Sequence, residues 1–468
     1  MNSQILSKIK SDKILNEIIK LADTNIYLIG GAVRDYAQGN DVLDRDIVIE
    51  NGSSKAFVNK IKESLGGTVI PLDEENKIYR IVLEDKENFI DIVEPIGGSI
   101  NDDIKRRDLT INAIAVNLKT FDIVDLVGGL EDLHRGIIRQ ICEENFIVDP
   151  LRLLRVFRFQ AMTGFSISKD TIESVKKYSK LITQPSKERV NYELMKLFSG
   201  KFSYEALKSS DDSGLLEYLF PFVKELKKVP PNTHHHLDLF NHSLEVVRQL
   251  QLIYEQSDFE VKKHLNTVDF GGFSRLAHLK LAGFMHDIGK FSTWTIENDT
   301  GRHRFIKHDD VGAKMSIPIL KSLKFSKKQT DYISTLIKNH IYPSAVMQSP
   351  EINDKIMMRY VRKMEDNSID AIMLAMADRL SARGVDITEE IVKHNLSSLE
   401  KLLQFYISVR DTLKPLPILL NGNEIMDILS INPSPKLGKI LEALHDQQLN
   451  GQISTKKEAI IFVKNFKI

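Results

Sequence analysis

Cysteine is nearly absent from this sequence, which contains only Cys142. A single cysteine excludes an internal disulfide framework and is typical of a protein in a reducing compartment. The first residues, Met1-Asn2-Ser3-Gln4, lack the charged and then apolar pattern of a secretory signal. We therefore expect a cytoplasmic protein.

Long apolar runs and a net charge are absent as well. No apolar stretch reaches the length that crossing a bilayer requires, so we expect no membrane partner. The chain has 64 basic and 64 acidic side chains, giving a net charge of zero. Any nucleic-acid surface must therefore be a local basic patch that acidic regions elsewhere offset. The 468 residues are enough for about three globular domains.

The most informative stretch runs from Ile29 to Glu50. The apolar residues Ile26–Ile29 predict a buried strand, and Gly30-Gly31 predicts a tight turn where backbone N–H groups can approach a phosphate. Asp44 and Asp46 lie two residues apart in a second apolar segment, so both carboxylates should lie on one side of a strand. Such a pair suits Mg²⁺. Each feature alone is also typical of a surface turn; together they favour phosphoryl transfer.

A basic string supplies candidate phosphate contacts. Lys105-Arg106-Arg107 directly precedes Asp108 and leads to Asn112. Guanidinium groups bind phosphate in a bidentate manner. Asp108 and Asn112, four residues apart, are expected on one helix face, where they could contact a ribose hydroxyl. A solvated helix start is the alternative interpretation.

A second basic string begins at Asp149-Pro150, which is typical of the start of a helix. Arg152, Arg155 and Arg158 recur every three residues and predict one basic stripe. Such a stripe is more often a solvated surface than a binding site. Here apolar residues fill the other positions, which indicates a packed helix whose arginine side is directed at a ligand.

The second half of the chain, from about Asn232, has helical apolar spacing and contains histidines beside aspartates. His242, the pair His286-Asp287 and the distant Asp378 all lie in apolar segments. Isolated histidines are usually ordinary surface or core residues, but imidazole and carboxylate together suit Ni, Mn, Fe or Zn. The grouping predicts a transition-metal site.

The stretch from Ile29 to Glu50 resembles motif A of the nucleotidyltransferase superfamily that includes DNA polymerase beta. More closely, it resembles the class II tRNA nucleotidyltransferases (CCA-adding enzyme type) and bacterial poly(A) polymerases. Asp103–Ala113 resembles motif B of that family, and Asp149–Phe159 resembles motif D. The resemblance implies an α/β head with a mixed sheet, followed by all-α neck, HD and tail domains. The implied domain bounds are 1–142 (head), 143–230 (neck), 231–400 (HD) and 401–468 (tail).

The family resemblance also implies roles for these residues. Asp44 and Asp46 would be catalytic ligands of Mg²⁺, and Asp91 a third acid that assists the metal or deprotonates the attacking hydroxyl. In motif D, Asp149 and Arg152 would pair with the incoming base, so that protein side chains act as the template. The implied nucleotide-binding residues are Gly30, Gly31, Arg34, Arg106, Arg107, Asp108, Asn112, Asp149, Arg152, Arg155 and Arg158.

Two departures from the family pattern concern the choice of nucleotide. Val148 stands where motif D usually has a glutamate that orients its neighbours. Only residues 95–101 separate Glu94 from Asp102, where full CCA-adding enzymes usually have a longer flexible loop associated with switching from CTP to ATP. The short segment resembles CC-adding enzymes and some A-adding or poly(A)-adding relatives. The two departures imply three alternatives for the activity: addition of C only, of A only, or of both.

The second half resembles the HD superfamily of metal-dependent phosphohydrolases. His242, His286, Asp287 and Asp378 match its core ligands, and two further histidines match the extra positions of dinuclear members, namely His308 and His340. This resemblance implies an additional phosphohydrolase activity on phosphate monoesters or 2′,3′-cyclic phosphates. The residues after Leu416 resemble the family tail that grips tRNA.

Three hypotheses follow. The first is addition of C, A or both from CTP and ATP to the 3′ end of tRNA. The second is a poly(A) polymerase that acts on general RNA. The third is an HD phosphohydrolase whose N-terminal half only binds RNA. The sequence leaves the oligomeric state undetermined.

Overall fold

The computed structural model describes residues 1–233, 236–349, 352–413, 416–449 and 451–466. The chain divides into two units, Met1–Val223 and Lys224–Ile468. The four domain bounds expected from the sequence are finer than this division and remain a prediction. Among the described residues, no helix combines the length and the apolar character needed to cross a membrane.

A seven-stranded sheet forms the centre of the first unit. Its strands are β1 (Ile26–Ile29), β2 (Asp44–Ile49), β3 (Thr68–Asp73), β4 (Ile78–Val82), β5 (Phe89–Val93), β6 (Ala115–Asn117) and β7 (Ile123–Val124). They lie in the order β3-β4-β5-β2-β1-β6-β7. The β2–β5 pair is parallel and the other pairs are antiparallel, so the predicted mixed sheet is confirmed.

The register of β2 brings acidic residues together. Asp46 lies opposite Ile29 at the end of β1 and opposite Asp91 on β5. Residues in register point to the same side of a sheet, and so do residues two apart on one strand. Asp44, Asp46 and Asp91 therefore project from one side of the sheet.

The intervening residue, Arg45, anchors the opposite side of β2. It is buried and donates from Nε to Asp12 at 2.7 Å. The same Asp12 side chain accepts hydrogen bonds from the backbone N–H groups of Ile14 and Leu15, which caps the second helix of the chain. The N-terminal helices thus hold the acidic strand from behind.

Apolar packing fixes the sheet against its helices. Ile100 and Ile104, from one helix, form a core cluster with Tyr27, Ile29 and Val48 of the sheet. The α-helices of the first unit are Asn2–Ser11, Lys13–Leu21, Gly31–Ala37, Ser54–Leu65, Ile100–Lys105, Gly129–Arg135, Glu144–Val148, Leu151–Thr163, Lys169–Tyr178, Lys187–Ser199, Ser203–Asp212 and Leu215–Leu219. Short 3₁₀ helices are Thr110–Asn112 and Ser179–Thr183, and a parallel strand pair joins Ile137–Ile138 to Ser166–Ile167.

The second unit is mostly helical, as the sequence predicts. Its long helices pack around buried, largely apolar segments, of which Arg275–Met285 and Ser368–Ser381 are the most buried. One addition is an antiparallel strand pair, Trp294–Ile296 with His303–Phe305, so the all-α prediction is incomplete here. The helices in and leading into this unit are Val223–Leu226, Leu239–Gln256, Phe259–Leu265, Arg275–Met285, Lys290–Thr293, His308–Ser322, Lys327–Asn339, Tyr342–Met347, Asp354–Met364, Ser368–Ser381, Glu389–Val409, Gly422–Leu429, Pro435–Leu449 and Lys456–Asn465, with 3₁₀ turns Glu365–Asn367 and Arg410–Thr412.

Candidate active site and metal centre

The three carboxylates of the sheet form a candidate metal site. One oxygen each from Asp44, Asp46 and Asp91 lie within 4.8 Å of one another. Carboxylate oxygens are the ligands that Mg²⁺ prefers, usually one or two together with substrate phosphates. The donor set and its spacing therefore fit a divalent cation of the hard, oxygen-binding kind.

Electrostatics in this cluster favour a cation. Burial raises the pKa of Asp46 to about 6, although the nearby Arg107 acts in the opposite direction. Loss of hydration and the neighbouring Asp91 charge also raise the pKa of Asp44. Carboxylates that repel one another in this way gain most from a shared divalent ion.

Metal loading should therefore depend on pH. Below pH 6 the Asp46 carboxylate is protonated, and a cation must displace that proton to bind. We expect the Mn²⁺ affinity of this cluster to fall about tenfold per pH unit below pH 6 and to level off near pH 7. Electron paramagnetic resonance of free Mn²⁺ at pH 5, 6 and 7 measures this, with an Asp44→Asn/Asp46→Asn variant giving the background. Equal affinity at pH 5 and 7 would contradict it.

The turn after β1 brings the backbone against the carboxylates. Gly30 has φ +80°, and a Cβ at this position would lie 3.1 Å from Oδ2 of Asp46 and 3.2 Å from Nη1 of Arg107. Only glycine adopts this conformation in so narrow a space without strain. The next helix, Gly31–Ala37, begins directly after it. Its first backbone N–H groups, together with Arg107, can face a phosphate beside Asp46.

Replacement of this glycine should reduce both stability and activity. In Gly30→Ala, the added methyl group lies too close to Asp46 and Arg107, and alanine must also adopt an unfavourable positive φ. We therefore expect at least a tenfold loss of nucleotide incorporation and a destabilisation of about 1–3 kcal/mol. Gly98→Ala is the matched control, because Gly98 has φ +89° with nothing within 4 Å of an added Cβ. It should show only the smaller cost in stability. Equal activity of the two variants would sink this interpretation.

A polar cleft of about 560 Å³ lies in the first unit, and most of the predicted nucleotide-binding residues of motifs B and D line it. Five of its residues are arginines and four are acidic, and two of the acidic side chains, Asp108 and Glu193, are buried in the wall. Such a lining suits an anionic ligand whose base carries both hydrogen-bond donors and acceptors. The lining residues are Arg106, Arg107, Asp108, Asp149, Leu151, Arg152, Arg155, Glu188, Arg189, Tyr192 and Glu193.

Buried ion pairs hold the wall of this cleft. Arg155 donates from Nε to Asp108 at 2.7 Å and from Nη1 to Glu193 at 3.3 Å. Burial alone raises the pKa of Asp108, but the charge and hydrogen bond of Arg155 outweigh burial and lower it to about 2. Asp108 is therefore an anion in the wall, and its exposed fraction is only 6%.

The expected helix-face geometry of Asp108 and Asn112 is wrong in one respect. The helix ends at Lys105, and Thr110–Asn112 is a separate 3₁₀ turn, so the two residues do not share a helix. Their side chains do meet, since Nδ2 of Asn112 donates to Oδ1 of Asp108 at 3.3 Å. Asn112 Oδ1 accepts from Arg34 at 2.8 Å. In this structure the side chains of Asp108 and Asn112 therefore form hydrogen bonds with each other and with arginines.

Asp149 and Arg152 both face the cleft. Oδ2 of Asp149 accepts from Arg189 at 2.9 Å. Nη1 of Arg152 donates to the carbonyl oxygen of Arg106 at 2.6 Å. Val148 is 79% exposed and contributes no polar group to either residue. Nη1 of Arg152 also donates to the carbonyl oxygen of Asn145 at 3.3 Å, and Oδ1 of Asp149 accepts from the backbone N–H of Leu151 at 3.4 Å. Two neighbouring groups therefore hold each side chain at the cleft.

Arg34, Arg158 and the Gly30-Gly31 turn lie outside the lining of the cleft. Arg158 donates to Glu193, and its guanidinium lies over the Phe159 ring. Glu193, which binds both Arg155 and Arg158, is a wall residue that none of the sequence motifs includes. Glu193 occupies a core position in the apolar spacing of its helix, Lys187–Ser199. A charged residue at such a position is the sequence signal that could have revealed Glu193.

In the second unit, the six predicted HD residues come together. His242, His286 and Asp287 form one group of potential ligands, and Asp287, His308 and His340 form another, each within 4.8 Å. Asp378 completes the first group, since its Oδ1 lies 3.1 Å from Nε2 of His242. Asp287 is shared, so the arrangement fits two adjacent transition-metal ions.

Backbone carbonyls orient three of these imidazoles. The Nδ1 atoms of His286, His308 and His340 lie 2.7 Å, 2.8 Å and 2.7 Å from the carbonyl oxygens of Gly283, Phe305 and Ile337. An Nδ1–H bonded in this way leaves Nε2 with a lone pair for a metal. Burial, with a contribution from His286, lowers the pKa of His340 to about 4, so that its imidazole is neutral at pH 7. These features fit a metal centre.

Comparison with known proteins shows similarity over nearly the whole chain. Three family models match: the poly A polymerase head domain over residues 26–139, the probable RNA and SrmB-binding site of polymerase A over 164–227, and the HD domain over 239–383. The A-adding tRNA nucleotidyltransferase of Deinococcus radiodurans is 30% identical over 445 residues, which are 94% of this chain and 95% of that protein. The CC-adding tRNA nucleotidyltransferase of Thermus thermophilus is 30% identical over 440 residues, 93% and 92% of the two chains.

Solved structures show the same fold. The Thermotoga maritima CCA-adding enzyme, complexed with tRNA, aligns with a TM-score of 0.58 at 21% identity and covers 99% of this chain and 97% of its own. A tRNA-processing enzyme in an apo form aligns with a TM-score of 0.61 at 19% identity, with 90% and 95% covered.

The match of the first unit to the poly A polymerase head domain defines the class of the chain as a nucleotidyltransferase. The chain belongs to the class II tRNA nucleotidyltransferase and bacterial poly(A) polymerase family, with an HD domain in its second half. It is an enzyme of the tRNA nucleotidyltransferase type. Family membership also indicates a divalent metal cofactor.

Proposed function

We propose that this enzyme adds C, A or both, from CTP and ATP, to the 3′ end of tRNA without a nucleic-acid template. The observation that carries the proposal is the cluster of Asp44, Asp46 and Asp91 in the same unit as a cleft that Asp149 and Arg152 line. The similarity to tRNA nucleotidyltransferases that add A or CC supports the choice of substrate.

Different residues bind the metal and the triphosphate during the reaction. The 3′-hydroxyl of the RNA gives its proton to water and its oxygen attacks the α-phosphorus of the nucleotide. The bond from that phosphorus to the oxygen bridging to the β-phosphate breaks, and pyrophosphate leaves with the negative charge. Mg²⁺ held by Asp44 and Asp46 would supply Lewis-acid stabilisation of that charge. Arg106, Arg107 and the turn at Gly30 support the triphosphate.

The base would be recognised by protein side chains. Asp149 accepts hydrogen bonds and Arg152 donates them, so the pair can complement the edge of C or A. The helix that begins at Leu151 carries Arg152 and is packed on its apolar side, which makes this complement rigid. We also propose the finer division into head, neck, HD and tail domains given above, and a cytoplasmic location.

The test uses two purified tRNA transcripts, one that lacks its 3′ CCA and one that ends in CC, with CTP and ATP supplied singly and together. Growth by two C, by one A on a tRNA ending in CC, or by three nucleotides supports the proposal and assigns the specificity. A long tail on an unrelated RNA would support a poly(A) polymerase instead. No incorporation into any RNA would overturn the proposal.

The histidine cluster favours a second activity, hydrolysis of phosphate esters at a dinuclear site of Ni, Mn, Fe or Zn. Its support is the shared Asp287 between two sets of ligands. Turnover of 2′,3′-cyclic nucleotides or a phosphate monoester, with each metal added in turn, tests it. His286→Ala should abolish this turnover and retain incorporation, whereas Asp44→Ala should do the reverse. Loss of both activities in one variant, with the fold intact, would contradict two separate sites.

A further inference from the structure

Arg80 is a basic residue in contact with the carboxylate cluster of Asp44, Asp46 and Asp91, and no sequence motif marks it. It lies on β4, in register with Asp91 on β5. Its Nε and Nη2 atoms donate to the two carboxylate oxygens of Asp91, both at 2.7 Å. The guanidinium group therefore binds both oxygens through which Asp91 could bind a metal.

The guanidinium is also held close to a second carboxylate. Nη2 of Arg80 lies 3.8 Å from Oδ2 of Asp44, and the guanidinium lies over the ring of Phe89 at 5.4 Å. The Arg80 side chain is 31% exposed and that of Asp91 is 15% exposed. The ion pair of Arg80 with Asp91 is therefore partly shielded from water. Electrostatic interactions are stronger there than at an open surface.

Arg106 and Arg107, the predicted triphosphate-binding arginines, make different contacts. They pair with Asp103, at 2.5 Å and 3.1 Å, and leave the oxygens of Asp91 to Arg80. In sheet order, β1 with its glycine turn flanks β2 on one side, and β5 followed by β4 flanks it on the other. Arg80 therefore lies on the flank of the carboxylates opposite the turn at Gly30.

We propose that Arg80 competes with the divalent ion for Asp91 and so sets the concentration of divalent ion at which the site fills. Two physical effects act in the same direction. Both Asp91 oxygens are engaged by N–H donors, and a positive charge beside the cluster opposes the entry of a dication. The inference rests on the proposed function, because the ion concerned is the one used for nucleotidyl transfer.

This competition would couple metal binding to the nucleotide. A triphosphate carries negative charge that offsets the guanidinium, so the ion binds better with the nucleotide than without it. Arg80 is then a positioning residue that acts through Asp91. In its absence the cluster would hold the ion even without a substrate.

The test is Mn²⁺ binding to the full-length protein without nucleotide, measured by electron paramagnetic resonance. The contribution of other sites, including the histidine cluster, is obtained from Asp44→Asn/Asp46→Asn and subtracted. Arg80→Gln should bind Mn²⁺ at least tenfold more tightly than the parent chain. Arg80→Lys, which keeps the charge but loses the two-pronged contact, should lie between them.

Lys77→Met is the matched control. It removes another ion pair between the same two neighbouring segments, Lys77 with Glu94 at 2.6 Å, whose carboxylate is not part of the cluster. We expect no change in Mn²⁺ affinity there. Circular dichroism establishes whether each variant is folded. If Arg80→Gln does not fold, the Mn²⁺ affinity of Arg80→Lys still tests the proposal.

The double variant Arg80→Gln/Asp91→Asn identifies the cause. Competition for Asp91 predicts that this variant loses most of the gain in affinity, since the freed ligand is gone, and the part that survives measures the effect of the Arg80 charge alone. Unchanged or weaker Mn²⁺ binding in the Arg80 variants would overturn the proposal, as would a gain that survives undiminished in the double variant. A chain that incorporates no nucleotide but shows the predicted Mn²⁺ affinities would disprove the proposed function and leave this inference standing.

Discussion

Asp46→Asn is expected to reduce the rate of nucleotide incorporation roughly 10³-fold. The amide keeps the shape of the side chain but removes the negative charge that would bind the cation. Stabilisation of the transferring phosphate by a bound metal is worth several kcal/mol, and about 4 kcal/mol corresponds to this factor. Single-turnover incorporation of labelled CTP and ATP into tRNA is the measurement, with the Mg²⁺ concentration held at saturation for the parent chain.

Asp41→Asn is the control for this substitution. Asp41 lies five residues earlier, its side chain is 92% exposed, and it pairs only with Lys8 among the ion pairs found. Its loss should change the rate less than twofold and stability by less than about 0.5 kcal/mol. A similar loss of activity in both variants would show that the effect of Asp46→Asn comes from general charge, and a fully active Asp46→Asn would remove the proposed metal site.

Arg155→Met should destabilise the first unit by about 3–5 kcal/mol. The substitution leaves the buried Asp108 carboxylate without its ion-pair partner, and breaking one side of a buried pair costs this amount. Urea-induced unfolding, followed by a probe in the first unit, measures the change. The exposed pair of Arg135 with Glu131 is the control, since Arg135→Met should change stability by about 0.5 kcal/mol or less.

The pH dependence of this effect has a definite sign. The pKa of Asp108 is lowered from 3.8 to about 2 in the folded state, so its stabilising contribution is complete above pH 4. It is lost as the pH falls through the range from about 4 to 2. The stability difference between the parent chain and Arg155→Met should therefore be constant from pH 5 to 7 and shrink towards pH 3. A difference that grows on acidification would contradict the assigned ion pair.

The carboxylate pair and the turn were predictable because their patterns are local. Strand alternation alone places Asp44 and Asp46 on one side, and a Gly-Gly pair after an apolar strand indicates a tight turn. Asp91 could be assigned through the family resemblance, but its position opposite Asp46 depends on a strand pairing across more than forty residues. The register was visible only in the folded chain.

Other features depended on contacts that the sequence does not encode locally. Arg80 belongs to no recognisable sequence motif. Its contact with Asp91 follows from the register in which β4 pairs with β5. The predicted single helix through Asp108 and Asn112 failed because the chain leaves the helix after Lys105, before Asp108 is buried against Arg155. Tertiary ion pairs override local helix spacing at such a position.

In the histidine cluster, too, the ligands could be predicted from the sequence but their arrangement could not. The sequence identified all six residues through their resemblance to the HD superfamily, but not the sharing of Asp287 between two sets of ligands. Nor did it show the backbone carbonyls that orient the imidazoles, because these belong to residues three positions earlier in each chain segment. The choice of metal depends on such second contacts as well as on the ligands.

Anomalous diffraction from crystals of the full-length protein soaked with Mn²⁺ and a non-hydrolysable CTP analogue would test the carboxylate cluster most directly. The predicted result is a peak within metal–oxygen bonding distance of one oxygen each of Asp44 and Asp46 and of the phosphates of the nucleotide. A nucleotide bound in the cleft without any metal peak at these two carboxylates would contradict the proposed catalytic site.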